Sequence, residues 1–209
     1  MNSNANNRLK KDNEVFKLCF SAIFLSLAIV LELICKVVPI LKMPNGGGIS
    51  IAMLPLIIIA YTFGFKYSII SCIAFGLIDC FLLDGYGFNI FSFILDYIVA
   101  FGVISIASIF KNKVKSGSTF YFVLGFVIAS VLRWISSGFS GVINAGVWGY
   151  DKQFLEGIFG VGNGGMLYLY LYSFIYYNFP YIFASMIASI VCGLIIKKQV
   201  FNYLLKDDK

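Results

Sequence analysis

The 209-residue sequence predicts an all-α integral membrane protein with six transmembrane helices and both termini in the cytoplasm. Three observations carry that prediction. The chain is 60% hydrophobic and only 12% charged, where soluble domains carry about 25% charged residues. Apolar runs recur at 18–35, 51–64, 68–83, 90–110, 119–143 and 173–196, near the ~20 residues a helix needs to cross a bilayer. Finally, six crossings put both termini on one side and sort the basic residues unevenly. Twelve, from Arg8 to Lys209, fall on the side of the termini; Lys36, Lys42 and Lys152 fall on the other. That bias places the termini in the cytoplasm.

The first run follows the polar stretch MNSNANNRLKKDNEVFK. This lead-in is too long for a cleaved secretory signal, so the run is expected to be a retained span. The second run, 51–64, is short and is expected either to tilt or to begin inside a folded loop. The chain then divides into a cytoplasmic segment (1–17), a six-helix membrane domain (18–198) and a cytoplasmic tail (199–209). Two stretches on the outer side, the loop at 44–50 and the long segment at 144–172, are rich in glycine and suited to bending closely over something.

Several function classes drop out early. The net charge of +6 sits in small clusters and forms no basic face, so nucleic acid is not an expected partner. The chain has no histidine, the commonest metal ligand and general base, and its five cysteines form no CxxC pair. No GxxxxGK[ST] phosphate loop is present, so the chain is not itself an ATPase, and no GxSxG marks a hydrolase.

The informative residues are the charges inside spans: Glu32, Asp79, Asp96 and Arg133. Each costs at least ~2.5 kcal/mol at mid-bilayer unless it is paired or lines a wet cavity. All four belong to the outer halves of their helices. Asp96 stands about seven residues into its span, ~10 Å deep at 1.5 Å per residue. Two readings stay open. Asp96 and Arg133 could form a pair that only fastens helices, or the acids could line a polar pocket. Tyr86, Tyr97, Trp134, Trp148, Tyr150, Tyr172, Tyr176 and Tyr177 crowd the same region. A carboxylate among aromatic faces suits a flat, cationic organic ligand. An ion-coupled carrier using Glu32, Asp79 and Asp96 as a relay is the competing class.

Four stretches, in order, resemble one family. LDYIVAF (95–101) is similar to an Asp/Glu-Tyr motif on a fourth helix. MPNGGGISIAMLPL (43–56) resembles a Pro-Gly-Gly loop leading into Met-Leu-Pro. RWISSGFSG (133–141) resembles a basic-aromatic-x-x-His-x-x-Ser-Gly pattern on helix five. YSFIYYNFPY (172–181) resembles a Tyr-Ser-x-x-Tyr-Asn-x-x-Tyr pattern on helix six. The family is the thiamine-specific substrate-binding (S) components of energy-coupling factor (ECF) transporters.

The resemblance implies an S-component-like bundle without catalysis or cofactor. It would capture thiamine on the outer side of the cell membrane. It would then dock on a transmembrane coupling subunit driven by two ATPase subunits, which use the ATP. Carried over by position, Asp96 matches the carboxylate that holds the aminopyrimidine, flanked by Tyr86 and Tyr97. Arg133 matches the helix-five basic residue, Asn178 the helix-six asparagine, and Tyr177 precedes it. The sequence departs from the pattern at several points. Ser137 stands where a histidine is expected, the first outer loop has no tryptophan, and Asn144 or Ala145 falls where a second aromatic clamp is expected. Trp148 or Tyr150 could substitute for that clamp. One extra residue separates Tyr172 from Asn178, and 151–171 is longer than the pattern. Another vitamin or a thiamine precursor therefore remains an alternative ligand. For partner docking, Ala22 and Ser26 share a face of helix one at the small-residue spacing that permits close approach; internal packing would use the same spacing.

Overall fold

A computed structural model describes residues 13–44, 46–84 and 89–200. Among them, helix α1 covers Glu14–Val37. Its 24 residues rise about 36 Å, enough for the ~30 Å hydrocarbon layer. Asn13 caps it by accepting from the Val15 N–H at 2.9 Å, and Lys36 in the last turn complements the helix dipole. Ser21, Ala28 and Glu32 form its buried face, while most of its apolar surface is exposed, as expected for a helix at the lipid boundary.

Helix α2, Met53–Phe63, is the central element. Every residue from Met53 to Thr62 is buried, and the helix packs against α1 and the three long helices α3 (Phe65–Leu83), α4 (Ile90–Lys115) and α8 (Met166–Lys197). A helix apolar on all sides belongs in a core. Its 11 residues rise only about 16 Å, so it cannot cross the bilayer unaided. Of the two expectations for this run, the folded-loop one describes the structure. The chain leaves α1 through a 3-10 turn at Pro39–Leu41 and a Lys42–Gly48 bridge, then runs without regular secondary structure to Met53. At membrane depth that backbone must find internal partners. The Ser50 N–H donates to Ser185 Oγ of α8 at 2.9 Å, and Ser50 Oγ accepts from the Ala52 N–H at 3.1 Å.

Helix α5 covers Thr119–Ile143, and two short helices, α6 (Ala145–Trp148) and α7 (Lys152–Phe159), lie in the connection to α8. One end of the bundle holds the α2–α3 turn against α1, through Glu14 with Lys66 and Tyr67, and Thr119 against Lys197. The opposite end carries α6, α7 and the 38–52 segment. Glycines let the helices meet closely. A Cβ at Gly76 would lie 2.3 Å from the Tyr97 carbonyl oxygen, joining α3 to α4 without a gap. At Gly125 it would lie 2.0 Å from the Tyr61 hydroxyl, which donates to the Phe122 carbonyl at 2.7 Å.

Three helices widen into π-turns: α3 at Asp79–Asp84, α4 at Phe93–Val99 and α8 at Tyr172–Asn178. All three lie at the end remote from the chain termini. Such widened turns concentrate at functional sites because they turn side chains off the regular helical face. The third falls on the stretch with one residue more than the family pattern between Tyr172 and Asn178, and a widened turn is how a helix absorbs an extra residue.

The Gly125–Tyr61 contact yields a direct test. Gly125→Ala is expected to lower the melting temperature in detergent, an overpacking cost of about 1–3 kcal/mol. Adding Tyr61→Phe, which removes the nearest oxygen, should recover part of that loss. No loss on Gly125→Ala would contradict the packing.

Candidate ligand-binding site

A cavity opens among the three widened turns. Asp79 lines it from α3; Ser92, Asp96, Tyr97 and Phe101 from α4; Arg133, Ser137 and Gly141 from α5. Ser173, Tyr177, Asn178 and Tyr181 contribute from α8, Trp148 and Tyr150 from α6 and the residues after it, and Gly46 and Gly47 from the 38–52 segment. Seven of the eight residues selected from sequence (Asp96, Tyr97, Arg133, Ser137, Trp148, Tyr177 and Asn178) therefore line one space. Tyr86 lies outside the described residues.

Asp96 is the polar centre. Its Oδ2 accepts from Ser92 Oγ at 2.8 Å, one turn earlier in α4, and from Ser140 Oγ at 2.5 Å, across in α5. Ser137, three residues before Ser140, adds a side-chain contact to the same carboxyl group. Asn144 Nδ2 donates to Ser140 Oγ at 3.2 Å and to the Ser140 carbonyl at 2.9 Å, so the clamp is itself held. The Ser136 hydroxyl donates to the Leu95 carbonyl at 2.6 Å, tying α5 to the widened turn of α4 beside Asp96.

Arg133 does not close on Asp96 as a fastening pair. Its guanidinium lies 4.6 Å from the Phe101 ring centroid, and its buried Nε has no hydrogen-bond partner among the described residues. The aromatic face carries part of the cation's stabilisation. Arg133, Ser137, Ser140 and Asn144 recur at helical spacing, so α5 turns one polar stripe inward.

On α8, Asn178 joins the walls. Its Nδ2 donates to the Ser173 carbonyl at 2.9 Å and to the Ser137 carbonyl at 3.3 Å, while its Oδ1 accepts from the Tyr181 hydroxyl at 2.8 Å. Ser173 Oγ donates to the Gly138 carbonyl at 2.7 Å. A Cβ at Gly141 would lie 2.3 Å from that same Oγ, so glycine is what permits the approach of α5 to α8 here. The Tyr177 hydroxyl donates to the Gly46 carbonyl at 2.9 Å and draws the 38–52 segment over the cavity.

Other residues fall elsewhere. The Trp134 indole donates to the Phe174 carbonyl at 2.8 Å and packs edge-on against Phe174, Phe179 and Phe183, away from the cavity lining. Tyr172 joins a satellite cluster with Tyr150, Phe154 and Leu155, and Tyr176 is exposed against Phe159. Ala22 and Ser26 are exposed on α1, so internal packing does not use their spacing. Lys36, counted from sequence among the outer basic residues, turns inward. Its Nζ lies 2.5 Å from Asp79 Oδ1 and 3.6 Å from Glu32 Oε1. Two of the three acids of the relay reading are thus paired with one lysine. Among the described residues no group of three His, Cys, Asp or Glu side chains gathers to hold a metal.

Sequence reasoning passed over Ser92, Ser140, Ser173 and Tyr181. A signal existed for two of them: Ser92 precedes Asp96 by one turn, and Ser140 follows Arg133 by seven residues on the same face.

Comparison with known proteins agrees with this architecture. A solved structure of ThiT from Listeria monocytogenes superposes with a TM-score of 0.69 at 22% identity, covering 90% of this chain and 97% of that one. The thiamine transporter ThiT of Bacillus subtilis (strain 168) is 27% identical over 143 residues, which is 65% of this chain and 73% of that protein. A family model described as Thiamine transporter protein (Thia_YuaJ) matches residues 18–204. This multi-pass membrane protein belongs to the thiamine transporter protein family.

Proposed function

We propose that the chain is a high-affinity thiamine-binding S component of an ECF-type, ATP-driven vitamin importer. The observation that carries the reading is the Asp96 carboxylate, clamped by Ser92 and Ser140 in a cavity with aromatic walls. Thiamine offers a flat aminopyrimidine that donates hydrogen bonds and a permanently cationic thiazolium. A carboxylate answers the first with charge-assisted bonds, and aromatic faces attract the second. Tyr97, Trp148, Tyr150 and Tyr177 supply those faces, while Asn178 and Ser137 supply further polar contacts.

The basic-residue bias supports an outward-facing cavity, since the site lies at the end remote from the termini. The chain would act as a binding subunit without catalysis of its own, and partner ATPases would supply the energy. The exposed Ala22–Ser26 face of α1 is the surface offered to the coupling subunit, where small side chains permit close helix approach.

Three outcomes follow from these roles. Asp96→Asn should weaken thiamine binding to the purified chain by about 1.5–3 kcal/mol, and Ser140→Ala by about 0.5–1.5 kcal/mol, read by titration calorimetry. Parent-like affinity in Asp96→Asn would remove the carboxylate from the site. Ala22→Trp should leave thiamine binding intact and abolish uptake when the chain is reconstituted with its coupling and ATPase subunits. Undiminished uptake would refute docking through this face.

A further inference from the structure

The cavity wall owes one of its rings to a helix that does not itself line the cavity. Tyr150 reaches the site from the short joint between α6 and α7, and no transmembrane helix carries it. Its backbone is fixed. Gly149 ends α6 with a φ of 71°, a left-handed turn suited to glycine, and the Tyr150 N–H donates to the Ala145 carbonyl at 2.8 Å. Neither feature decides where the side chain goes. Two rings outside the lining hold it. Phe154 stacks on Tyr150 with centroids 5.3 Å apart and planes at 27°. Tyr172, at the start of the widened turn of α8, meets Tyr150 edge-on at 4.7 Å. Phe154 and Tyr172 meet each other at 5.1 Å and 87°. The three rings close a triangle, of which Tyr150 alone belongs to the cavity lining.

The sequence around Tyr150 builds this brace locally. Asp151 caps α7, its Oδ1 accepting from the Phe154 N–H at 2.8 Å, which fixes Phe154 in the first turn. Tyr150 precedes that cap and shares a buried cluster with Leu155, the pairing that sets the angle at which a chain enters a helix. Leu169 of α8 completes the cluster, and Phe159 packs on Tyr168 and Tyr176 of the same helix at 5.3 and 5.2 Å. Both ends of α7 are thus moored to α8. On its other side Tyr150 faces Tyr177, centroid to centroid 6.4 Å, whose hydroxyl binds the Gly46 carbonyl. An unbraced ring must be ordered each time a ligand binds, and that ordering weakens affinity. We infer that α7 is a brace for the ligand site, and that Phe154 is a positioning residue that holds the Tyr150 ring against bound ligand. The inference rests on the proposed thiamine reading and deepens it, by giving the 151–159 stretch a part in retaining the ligand.

The test is a double-mutant cycle on the detergent-purified full chain. Thiamine Kd is read by titration calorimetry and dissociation by tryptophan fluorescence. Phe154 is 36% exposed, so truncating it opens no sealed void. Phe154→Ala should raise the Kd about three- to tenfold, chiefly through faster dissociation, and Phe154→Tyr should stay within about twofold of the parent. Tyr150→Ala should weaken binding at least as much as Phe154→Ala. Adding Phe154→Ala to it should change the Kd by no more than about twofold, because the ring being positioned is gone. If Phe154→Ala does not fold, Asp151→Ala carries the test. It loosens the start of α7 without removing a ring and should raise the Kd in the same direction by less. Parent-like affinity and dissociation in the variant that carries the test, or equal weakening by Phe154→Ala with and without Tyr150, would overturn the inference and leave the thiamine reading standing. A folded parent that binds no thiamine would overturn both.

Discussion

A half-buried carboxylate at membrane depth imposes demands that the surrounding helices are built to meet. Asp96 cannot be left bare in a low-dielectric interior, where an unmatched charge costs several kcal/mol. Its Oδ2 receives one hydroxyl from its own helix and one from α5. The second bond survives only while α4 and α5 hold a fixed register. Ser136 fixes it by binding the Leu95 carbonyl, and Asn144 holds Ser140 in turn. The widened turn at Phe93–Val99 changes the angle at which Asp96 and Tyr97 leave the helix, and α4 tightens to a 3-10 form over Val103–Phe110 beyond it. The site is thus a property of helix register as much as of its residues.

The short central helix serves the same end. Because α2 covers only Met53–Phe63, the remaining depth of its crossing is filled by irregular chain from the 38–52 segment. That segment brings Gly46 and Gly47 to the cavity, where Tyr177 and Tyr181 meet them. Non-helical backbone in a membrane is tolerable only with internal partners, and Ser50 and Ser185 provide one such bond. The cavity, the broken crossing and the three widened turns therefore share one end of the bundle. The regular, glycine-packed helices fill the rest.

How much of this was legible in the sequence depends on the range of the interaction concerned. Membrane helices were legible because hydropathy is local, and Asp96 and Arg133 stood out because a charge in an apolar run is expensive wherever it points. The shortness of the second run was also visible. The Asp96–Arg133 fastening pair, kept open from sequence, is not formed, because Ser92 and Ser140 satisfy the carboxylate and Phe101 takes the guanidinium. Serines are common in membrane helices, and only the register of α4 against α5 singles these two out. The partner of Lys36 was illegible for a similar reason. Its spacing to Glu32 is local, but Asp79 lies 43 residues away, and nothing in the sequence joins them. The extra residue before Asn178 was visible as an irregularity; its accommodation in a widened turn of α8 needed the structure.

Whether the cavity takes thiamine can be read from the two tryptophans of the chain, of which Trp148 lines the cavity and Trp134 packs against α8. Fluorescence of the purified chain is titrated with thiamine, then separately with riboflavin, folate, pyridoxine, biotin and niacin. The account predicts saturable quenching by thiamine at submicromolar concentration, retained in Trp134→Phe, lost in Trp148→Phe and not produced by the other vitamins. A response to another vitamin alone, or no response to thiamine by the folded protein, would contradict it.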